Sequence, residues 1–451
     1  MSIPAHTRSR GAMGRRGFLA FASLATLAVG VTACGTSGPA RSNGGGGGDA
    51  GSATMWFLTG DPNETICTDS VDAFNELGEG NLEVTFYQND AYKTKIRTAV
   101  GAGQAPTVIF GWGGGILKSY VEAGQVDDLT DFIEDTPDFK SKFADSVWSA
   151  ATIDDKVYAV PTNATQPIVM YYNNELFDEH GAELPKTWDD VMGLVELFNS
   201  KGVAPFSLGG QSKWTSMMWL EYLLDRIGGP EAFAAILSGE SDAWSQDAVI
   251  KTCTMIQELV KADGFIKGFS SIAADGNADQ AVLYTGKAAM MLHGSWVYGS
   301  MKSDQPDFVA SSLGFGPFPE VPGGKGDPTD IVGGPANYLS ISSGAPDSAK
   351  EVAKAYFTDG LYSDADIDAF IATGGVPPVT AAQDKLASSE DADFLTFIYG
   401  LASEAPNFEL SWDQALNPSE AEALLNNIGQ LFLLGIGPEE FASNMNATLG
   451  K

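Results

Sequence analysis

Thr54-Met55-Trp56-Phe57-Leu58-Thr59, Leu82-Glu83-Val84-Thr85-Phe86-Tyr87-Gln88 and Val108-Ile109-Phe110 are three short apolar runs separated by two amphipathic stretches. Their alternation decides the fold class. In the first stretch Ile66, Val71, Phe74 and Leu77 recur at near-helical spacing; in the second a helix from about Tyr92 puts Ile96 and Val100 on one face. Leu82, Val84 and Phe86 alternate as on a half-buried strand, and Pro106 precedes the third run. Strand, helix, strand, helix, strand predicts an α/β domain with a largely parallel sheet.

The residues after each run carry the first functional signal. Thr59, Gly60 and Asp61 follow the first, with Asn63 close behind; Asn89, Asp90 and Tyr92 follow the second; Trp112 and Gly113 to Gly115 follow the third. Open α/β sheets bind ligands outside the carboxyl ends of their strands. Taken singly, each Gly or Asp is a turn former. Together, carboxylates, amides and an indole beside glycines that admit a ligand to the backbone predict a site for a neutral polyol with flat apolar faces.

Upstream, Arg15-Arg16-Gly17-Phe18-Leu19 leads into an apolar run that stops at Val31-Thr32-Ala33-Cys34. A charged start, a short apolar core and a small-residue cleavage site ending in cysteine form an export signal. The run from Phe18 to Ala33 is shorter than the ~20 residues a spanning helix needs. It resembles a bacterial lipoprotein signal, which implies that 1–33 is removed and that Cys34 carries a lipid holding the chain on the outer face of the cell membrane. The Arg-Arg-x-Phe-Leu core also resembles a twin-arginine signal, so both export routes stay open. The Gly-rich segment 34–53 reads as a tether spanning roughly 25 Å. No Gly-Lys-Ser/Thr follows Gly44 to Gly48, so this is no phosphate loop.

A chain of 451 residues suits two domains. Its net charge is −32, and losing Arg8, Arg10, Arg15 and Arg16 takes it to about −36. Such acidity argues against nucleic acid or anionic lipid as a direct partner. Beyond Cys34 only Cys67 and Cys253 remain. They either pair in an oxidising compartment or stay buried and free; the expectation is buried and unpaired.

Further along, Tyr158-Ala-Val-Pro161 precedes Val169-Met-Tyr-Tyr172-Asn173, Leu176-Phe177 and Pro185-Lys-Thr-Trp188-Asp189-Asp190. Pro205-Phe206, Leu208-Gly-Gly, Gly286-Lys-Ala-Ala-Met290-Met, His293-Gly-Ser-Trp296 and Gly314-Phe-Gly-Pro317-Phe-Pro319 follow, then Gly333-Gly334, Gly375-Val-Pro377 and an amphipathic Pro438-Glu-Glu-Phe441. This ordered set resembles the extracellular solute-binding proteins of sugar-importing ABC transporters, the group that includes maltose-binding protein. The resemblance covers 54–451. It implies an α/β, two-lobe periplasmic-binding-protein-like fold with hinge strands and a central ligand cleft. Lobe one would comprise 54–162 plus 336–378 and lobe two 163–335 plus 379–451, with crossings near Thr162–Thr165, Gly334–Asn337 and Pro377–Thr380. Cys67 and Cys253 then fall in different lobes. The residues support helix starts independently. Thr187 and Asp190 form a capping box ahead of Val191, Leu194, Val195 and Phe198, which makes Trp188 a packing residue. Ser348 and Glu351 are expected to cap another helix, with Val352, Ala355 and Tyr356 facing the core.

A sugar presents hydroxyls on its rim and C–H groups on its faces. Holding it takes well-paired polar partners, since each unpaired one costs ~1–3 kcal/mol, and rigid aromatic platforms. Of nine tryptophans, Trp112, Trp214, Trp296 and Trp412 are the candidate platforms. The resemblance implies Trp112, Trp296 and Trp412; Trp214 follows a Gly209-Gly-Gln211 loop. For each, core packing is the alternative. Thr59, Asp61, Asn63, Asp90, Gln166, Gln211, His293, Asn337 and Asp413 are the polar candidates. His293 either bonds a hydroxyl or caps a strand end. No His pair has metal-ligand spacing, and no catalytic residue, metal or cofactor is expected.

The expected function is the substrate-binding component of an importer, not an enzyme. Its partners would be an oligosaccharide, separate permease subunits, and the membrane through Cys34, with no nucleic acid; the chain would be a monomer. Two other readings stay open. A secreted glycoside hydrolase needs two carboxyls ~5–5.5 or ~6.5–9.5 Å apart, which Asp61, Asp90 and Asp413 offer. An anchored adhesive protein would ignore small ligands. No Gly-x-Ser-x-Gly elbow is present. Thr59–Gly115 is similar to xylo-oligosaccharide-binding proteins of actinobacteria, which implies xylobiose or a short xylo-oligosaccharide. Malto-, cello- and chito-oligosaccharides are the other candidates.

Overall fold

Every second residue of β1 (Ser52–Leu58) is buried, through Ala53, Met55 and Phe57, the alternation that a covered sheet face imposes. The structure is a computed structural model that describes residues 51–450, so the expected signal peptide, the lipid-bearing Cys34 and most of the tether lie outside the described residues. β1 runs parallel to β2 (Asn81–Tyr87) along its whole length and parallel to β3 (Val108–Gly111) on its other side. Between them α1 (Asn63–Leu77) buries Ile66, Val71 and Phe74 but leaves Leu77 exposed at its end. α2 (Asn89–Gly101) begins three residues before the Tyr92 start expected from its apolar face. Those three residues carry Asn89 and Asp90 onto a helix.

The remaining strands build a hairpin and complete two sheets. The hairpin is β4 (Thr152–Ile153) with β5 (Lys156–Val157). The others are β6 (Val160–Thr162), β7 (Gln166–Asn173), β8 (Ala204–Ser207), β9 (Ala288–Gly294), β10 (Leu313–Gly316), β11 (Ile331–Gly334), β12 (Asn337–Ile341) and β13 (Phe408–Leu410). The first sheet has the order β2-β1-β3-β12-β6, with β12 antiparallel to both neighbours. The second has the order β13-β11-β7-β9-β8, with β10 also on β7. The chain changes sheets between Thr162 and Gln166 and returns between Gly334 and Asn337. Each sheet is covered by helices, giving a two-lobe α/β fold.

Cys67 and Cys253 are free, and each lies in the core of a different sheet; burial pushes both thiols up. The Thr187–Asp190 capping box is formed, and Trp188 packs on Trp219 and Phe318. Ser348 caps nothing: the helix there, Asp347–Ala355, has Pro346 at its N-cap, which puts Ser348 inside its first turn. No helix of the described residues is long and apolar enough to cross a membrane.

One buried anchor fixes the segment after β13. Trp412 is 1% exposed and lies flat on Phe233, ring centroids 4.2 Å apart at 7°. Its backbone N–H donates to Glu221 Oε1 at 2.6 Å and its indole N–H to Glu409 Oε1 at 3.1 Å. Trp412 is therefore core, and the expectation that it stacks on a ligand is corrected: all of its polar and apolar surface is used inside lobe two. What it delivers to the cleft is its neighbours, Asp413 and Gln414.

Burial, reinforced by the nearby Asp225 and Asp330 carboxylates, pushes Glu409 up to about 7 from an ordinary 4.5. An acid that holds its proton more tightly when folded loses stability for the fold as pH rises through that window. Glu409→Gln keeps an acceptor for the Trp412 indole but does not titrate. Its stability relative to the native protein is expected to rise between about pH 4.5 and about pH 7 and to level off above, as read by chemical denaturation across that range. A pH-independent difference would mean that Glu409 titrates as an exposed carboxylate.

Candidate functional site

The carboxyl ends of β1, β2 and β3 face those of β9 and β11 across a cavity of about 190 Å³. Thr59, Asp61 and Asn63 follow β1, Gln88 and Asn89 follow β2, and Trp112 follows β3. Gln166, Asn337 and Gly334 form the floor at the sheet crossings; Trp214, His293 and Trp296 form the far wall; Asp413 and Gln414 close one end. Three expected residues lie elsewhere. Trp412 is core, as described. Asp90 stands behind the wall, where its Oδ1 accepts the Trp214 indole N–H at 3.0 Å and its own N–H donates to Asp275 Oδ2 at 3.2 Å. Gln211 is exposed and outside the cavity, with its backbone N–H on the Ile272 carbonyl. It shapes the loop ahead of Trp214.

The aromatic wall is built around His293. Trp214 and Trp296 lie 6.1 Å apart, and each meets His293 edge-on, at 5.3 and 5.4 Å. His293 is 2% exposed. Its Nδ1 accepts the Gly294 N–H at 2.9 Å, and its Nε2 faces Asp279 Oδ2 at 3.2 Å. Nδ1 is occupied within the protein, while Nε2 and Asp279 Oδ2 are each left without a hydrogen-bond partner, so His293 supports the two indoles and keeps one ring nitrogen unpaired. Gly294 makes the arrangement possible, because a Cβ there would lie 1.7 Å from the Trp296 ring.

Trp112 faces them from lobe one, held edge-on by Phe110 and Tyr92. Lys93 reaches between the two walls. Its Nζ lies 5.0 Å from the Trp112 ring centre and 5.8 Å from that of Trp214, and is paired with Asp413 at 2.7 Å. It is the one lysine or arginine among the described cavity residues. Asp61 and Asp275 are the other charged groups there, and burial followed by the nearby Asp90 carboxylate raises Asp275 above the usual range. An acidic cavity whose single cation is already paired fits an uncharged ligand.

The glycines after β3 act differently from the sequence expectation. A Cβ on Gly113 would lie 2.4 Å from the Ala150 carbonyl oxygen, and one on Gly115 2.4 Å from that of Ala415. They admit the protein's own backbone, including the segment after Trp412, and not a ligand. Sequence reading also missed Lys93, Asp275 and Gln414. Lys93 stands three residues after Asp90, the spacing that places both on one helix face, which was the available signal. Gln414 Oε1 is buried without a hydrogen-bond partner in the cavity wall. At the floor, Asn337 Oδ1 accepts from Asn163 at 2.9 Å and Gln166 at 3.1 Å, and its Nδ2 donates to Gln166 Oε1 at 3.2 Å.

The family model for bacterial extracellular solute-binding proteins matches residues 66–360. A multiple sugar-binding protein of Streptococcus mutans is 27% identical over 264 residues, 51% of this chain and 58% of its own length. A maltotriose-binding protein of Pyrococcus abyssi is 25% identical over 239 residues, 52% of this chain and 47% of its own. The chain spans about half the length of the curated relatives it matches. Among solved structures, one from a study of xylan utilisation by Caldanaerobius polysaccharolyticus superposes with a TM-score of 0.80 at 28% identity, covering 88% of this chain and 100% of that one. A chitin oligosaccharide binding protein shares the fold, with a TM-score of 0.80 at 24% identity over 89% of this chain and 98% of its own.

Gly294→Ala is expected to push the Trp296 indole off His293 while the two lobes stay folded. The near-ultraviolet circular dichroism of the tryptophans should change and the far-ultraviolet spectrum should not. An unchanged near-ultraviolet spectrum would show that the indole does not depend on this close approach.

Proposed function

This chain belongs to the bacterial extracellular solute-binding proteins, and from that membership we propose that it captures an oligosaccharide outside the cell for an ABC importer. The observation that carries this reading is the opposition of Trp112 to the Trp214–Trp296 pair across a cavity floored by amides, with its only lysine already paired. Indoles match the C–H faces of a pyranose, and amides match its hydroxyl rim. Gln414 Oε1 offers an unused acceptor.

The ligand is xylobiose or a short xylo-oligosaccharide. The structural relative from the xylan study, at 28% identity, supports this choice. The printed names of other relatives, maltotriose-binding and chitin oligosaccharide binding, keep malto- and chito-oligosaccharides as the alternatives, beside cello-oligosaccharides. Lobes built from 54–162 with 336–378 and from 163–335 with 379–451 would close on the sugar, and the closed form would be what separate permease subunits engage. The protein acts as a monomer held at the membrane by a lipid on Cys34. It binds rather than cleaves. Two of the three carboxylates that a hydrolase would draw on are committed within the protein, Asp90 to the Trp214 indole and Asp413 to Lys93.

Tryptophan fluorescence of the purified protein, titrated with xylobiose, cellobiose, maltose and chitobiose, tests the reading. Saturation by xylobiose at the lowest concentration is expected, with no hydrolysis product after prolonged incubation. Saturation by another sugar alone would reassign the ligand, and silence across the panel would refute the oligosaccharide reading. Trp296→Ala is expected to weaken the best ligand about tenfold or more, about 1.4 kcal/mol per decade, in calorimetric titration.

A further inference from the structure

α2 begins without a side-chain cap of its own. Gln88 stands at its N-cap position and makes no side-chain bond to the first turn, so the N–H groups of that turn need partners from elsewhere. One of them finds its partner across the cleft: the Asp90 N–H donates to Asp275 Oδ2 at 3.2 Å. α2 packs on the first sheet through Tyr92, Ile96 and Val100, whereas Asp275 lies in the chain between β8 and β9 of the second. A carboxylate at a helix N-terminus satisfies a donor and meets the positive end of the helix dipole. Here the helix and its cap belong to different lobes.

The Asp275 loop is pinned on both sides of the contact. The Ala274 N–H donates to Ser212 Oγ at 3.1 Å, just ahead of Trp214. Gly276 and Asn277 both take left-handed conformations, at φ 75° and 59°. The Asn277 side chain donates to Asp304 Oδ2 at 3.1 Å and accepts from Gln280 at 3.0 Å. The Trp214 indole N–H holds Asp90 Oδ1 at 3.0 Å. The second sheet's side therefore holds Asp90 twice, by its amide and by its carboxylate, and the second bond keeps that carboxylate beside Asp275.

The contact thus joins a favourable cap to an unfavourable pair of like charges. Burial first, then the Asp90 carboxylate, raises the Asp275 carboxyl above its ordinary 3.8; Asp279 adds to the rise, and the Asp90 N–H and Lys93 offset part of it. Lys93 is the facing cation on α2 and is already paired with Asp413 at 2.7 Å. Lys213, beside Trp214, is turned to Asn426 at 2.7 Å. The other titratable groups of the cavity are Asp61 after β1 and His293 on β9. When the lobes part, the carboxyl returns to water and to its ordinary range. Forming the contact therefore takes up a proton, and the contact is favoured at low pH and weakened as pH rises from the ordinary 3.8 through the raised value.

We propose that Asp275 caps α2 from across the cleft and that this contact makes lobe closure pH-sensitive, the protonated carboxyl closing more readily than the carboxylate. The inference rests on the lobe closure proposed above and is independent of which solute the cavity holds.

Small-angle X-ray scattering of the ligand-free protein from about pH 8 down to about pH 5, a span above the ordinary carboxylate range, tests the charge. The native protein's radius of gyration is expected to fall on acidification. Asp275→Asn keeps an acceptor for the Asp90 N–H without the charge, and should be compact across the range and lose the response. Asp90→Asn, which keeps an acceptor for the Trp214 indole, should lose it too. Hydrogen exchange over Gln88–Tyr92 at one fixed pH tests the cap. Asp275→Ala and Asp275→Asn are both uncharged and differ in the acceptor, so exchange there is expected to be about fivefold faster in the alanine variant, with no difference over β1. No pH response in the native protein, or a response that survives in Asp275→Asn, overturns the pH-sensitive closure, and equal exchange in the two variants overturns the cap. Neither result touches the oligosaccharide reading, which fails instead if no sugar of the fluorescence panel binds.

Discussion

Where a chain leaves one sheet for another, ladder hydrogen bonding lapses, and the buried polar groups left behind must be paired by side chains. Here that happens at two neighbouring places: the Thr165 N–H donates to the Val376 carbonyl, the Ser295 hydroxyl donates to the Thr165 carbonyl, and the side-chain amides of Asn163, Gln166 and Asn337 bond one another. Asn163 also holds a left-handed backbone conformation, at φ 61°, which asparagine tolerates better than most residues. Its carbonyl accepts the Tyr362 hydroxyl. Because the crossings are satisfied in this way, the carboxyl ends of both sheets can face one another, and Thr59, Asp61, Gln88, Trp112 and Trp296 fall into one cavity. The site follows from that constraint: Trp112, Trp296 and the β1 loop come from strands that share no hydrogen bond across the lobes.

This is also why so much of the site could be read from the chain. A residue just after a strand is located by local pattern alone, and Thr59, Asp61, Trp112, His293 and Trp296 were found by that route or by the motif that contains them. What failed depended on contacts between distant segments. Trp412 and Trp296 each follow a serine, yet one is buried flat on Phe233 and the other borders the cavity. Only the packing of the helix Pro230–Leu237 decides between them. The glycines after β3 look like a ligand-facing loop until residues 414–416 arrive against them. Lys93 reads as a solvated lysine on an amphipathic helix, because its partners Asp413 and Trp214 come from the other lobe. Ser348 failed for a local reason: the helix starts after Pro346, two residues sooner than its cap signal suggested.

The charge of the chain sharpens the role of α2. With 58 acidic residues against 26 basic ones, apposing the two lobes brings like charges together, and Asp90 meets Asp275 across the gap. Screening at physiological salt removes interactions beyond about 8 Å, so contact pairs decide the balance. α2 carries two cations across, Lys93 to Asp413 and Arg97 to Glu422. The second pair is exposed on both sides, and such pairs contribute little. Lys93–Asp413 is the more protected, with Asp413 only 7% exposed and the amine between two indoles. Contact between the two lobes therefore leans on the aromatic gap between Trp112 and Trp214. A ligand gains only the difference between its own contacts and those it displaces. It must bridge Trp112 and Trp214 at least as well as the lysine does, and a neutral ring does so without the desolvation cost of an ammonium. On the oligosaccharide reading, exchanging a charged bridge for an uncharged one would couple ligand capture to contact between the lobes at this gap.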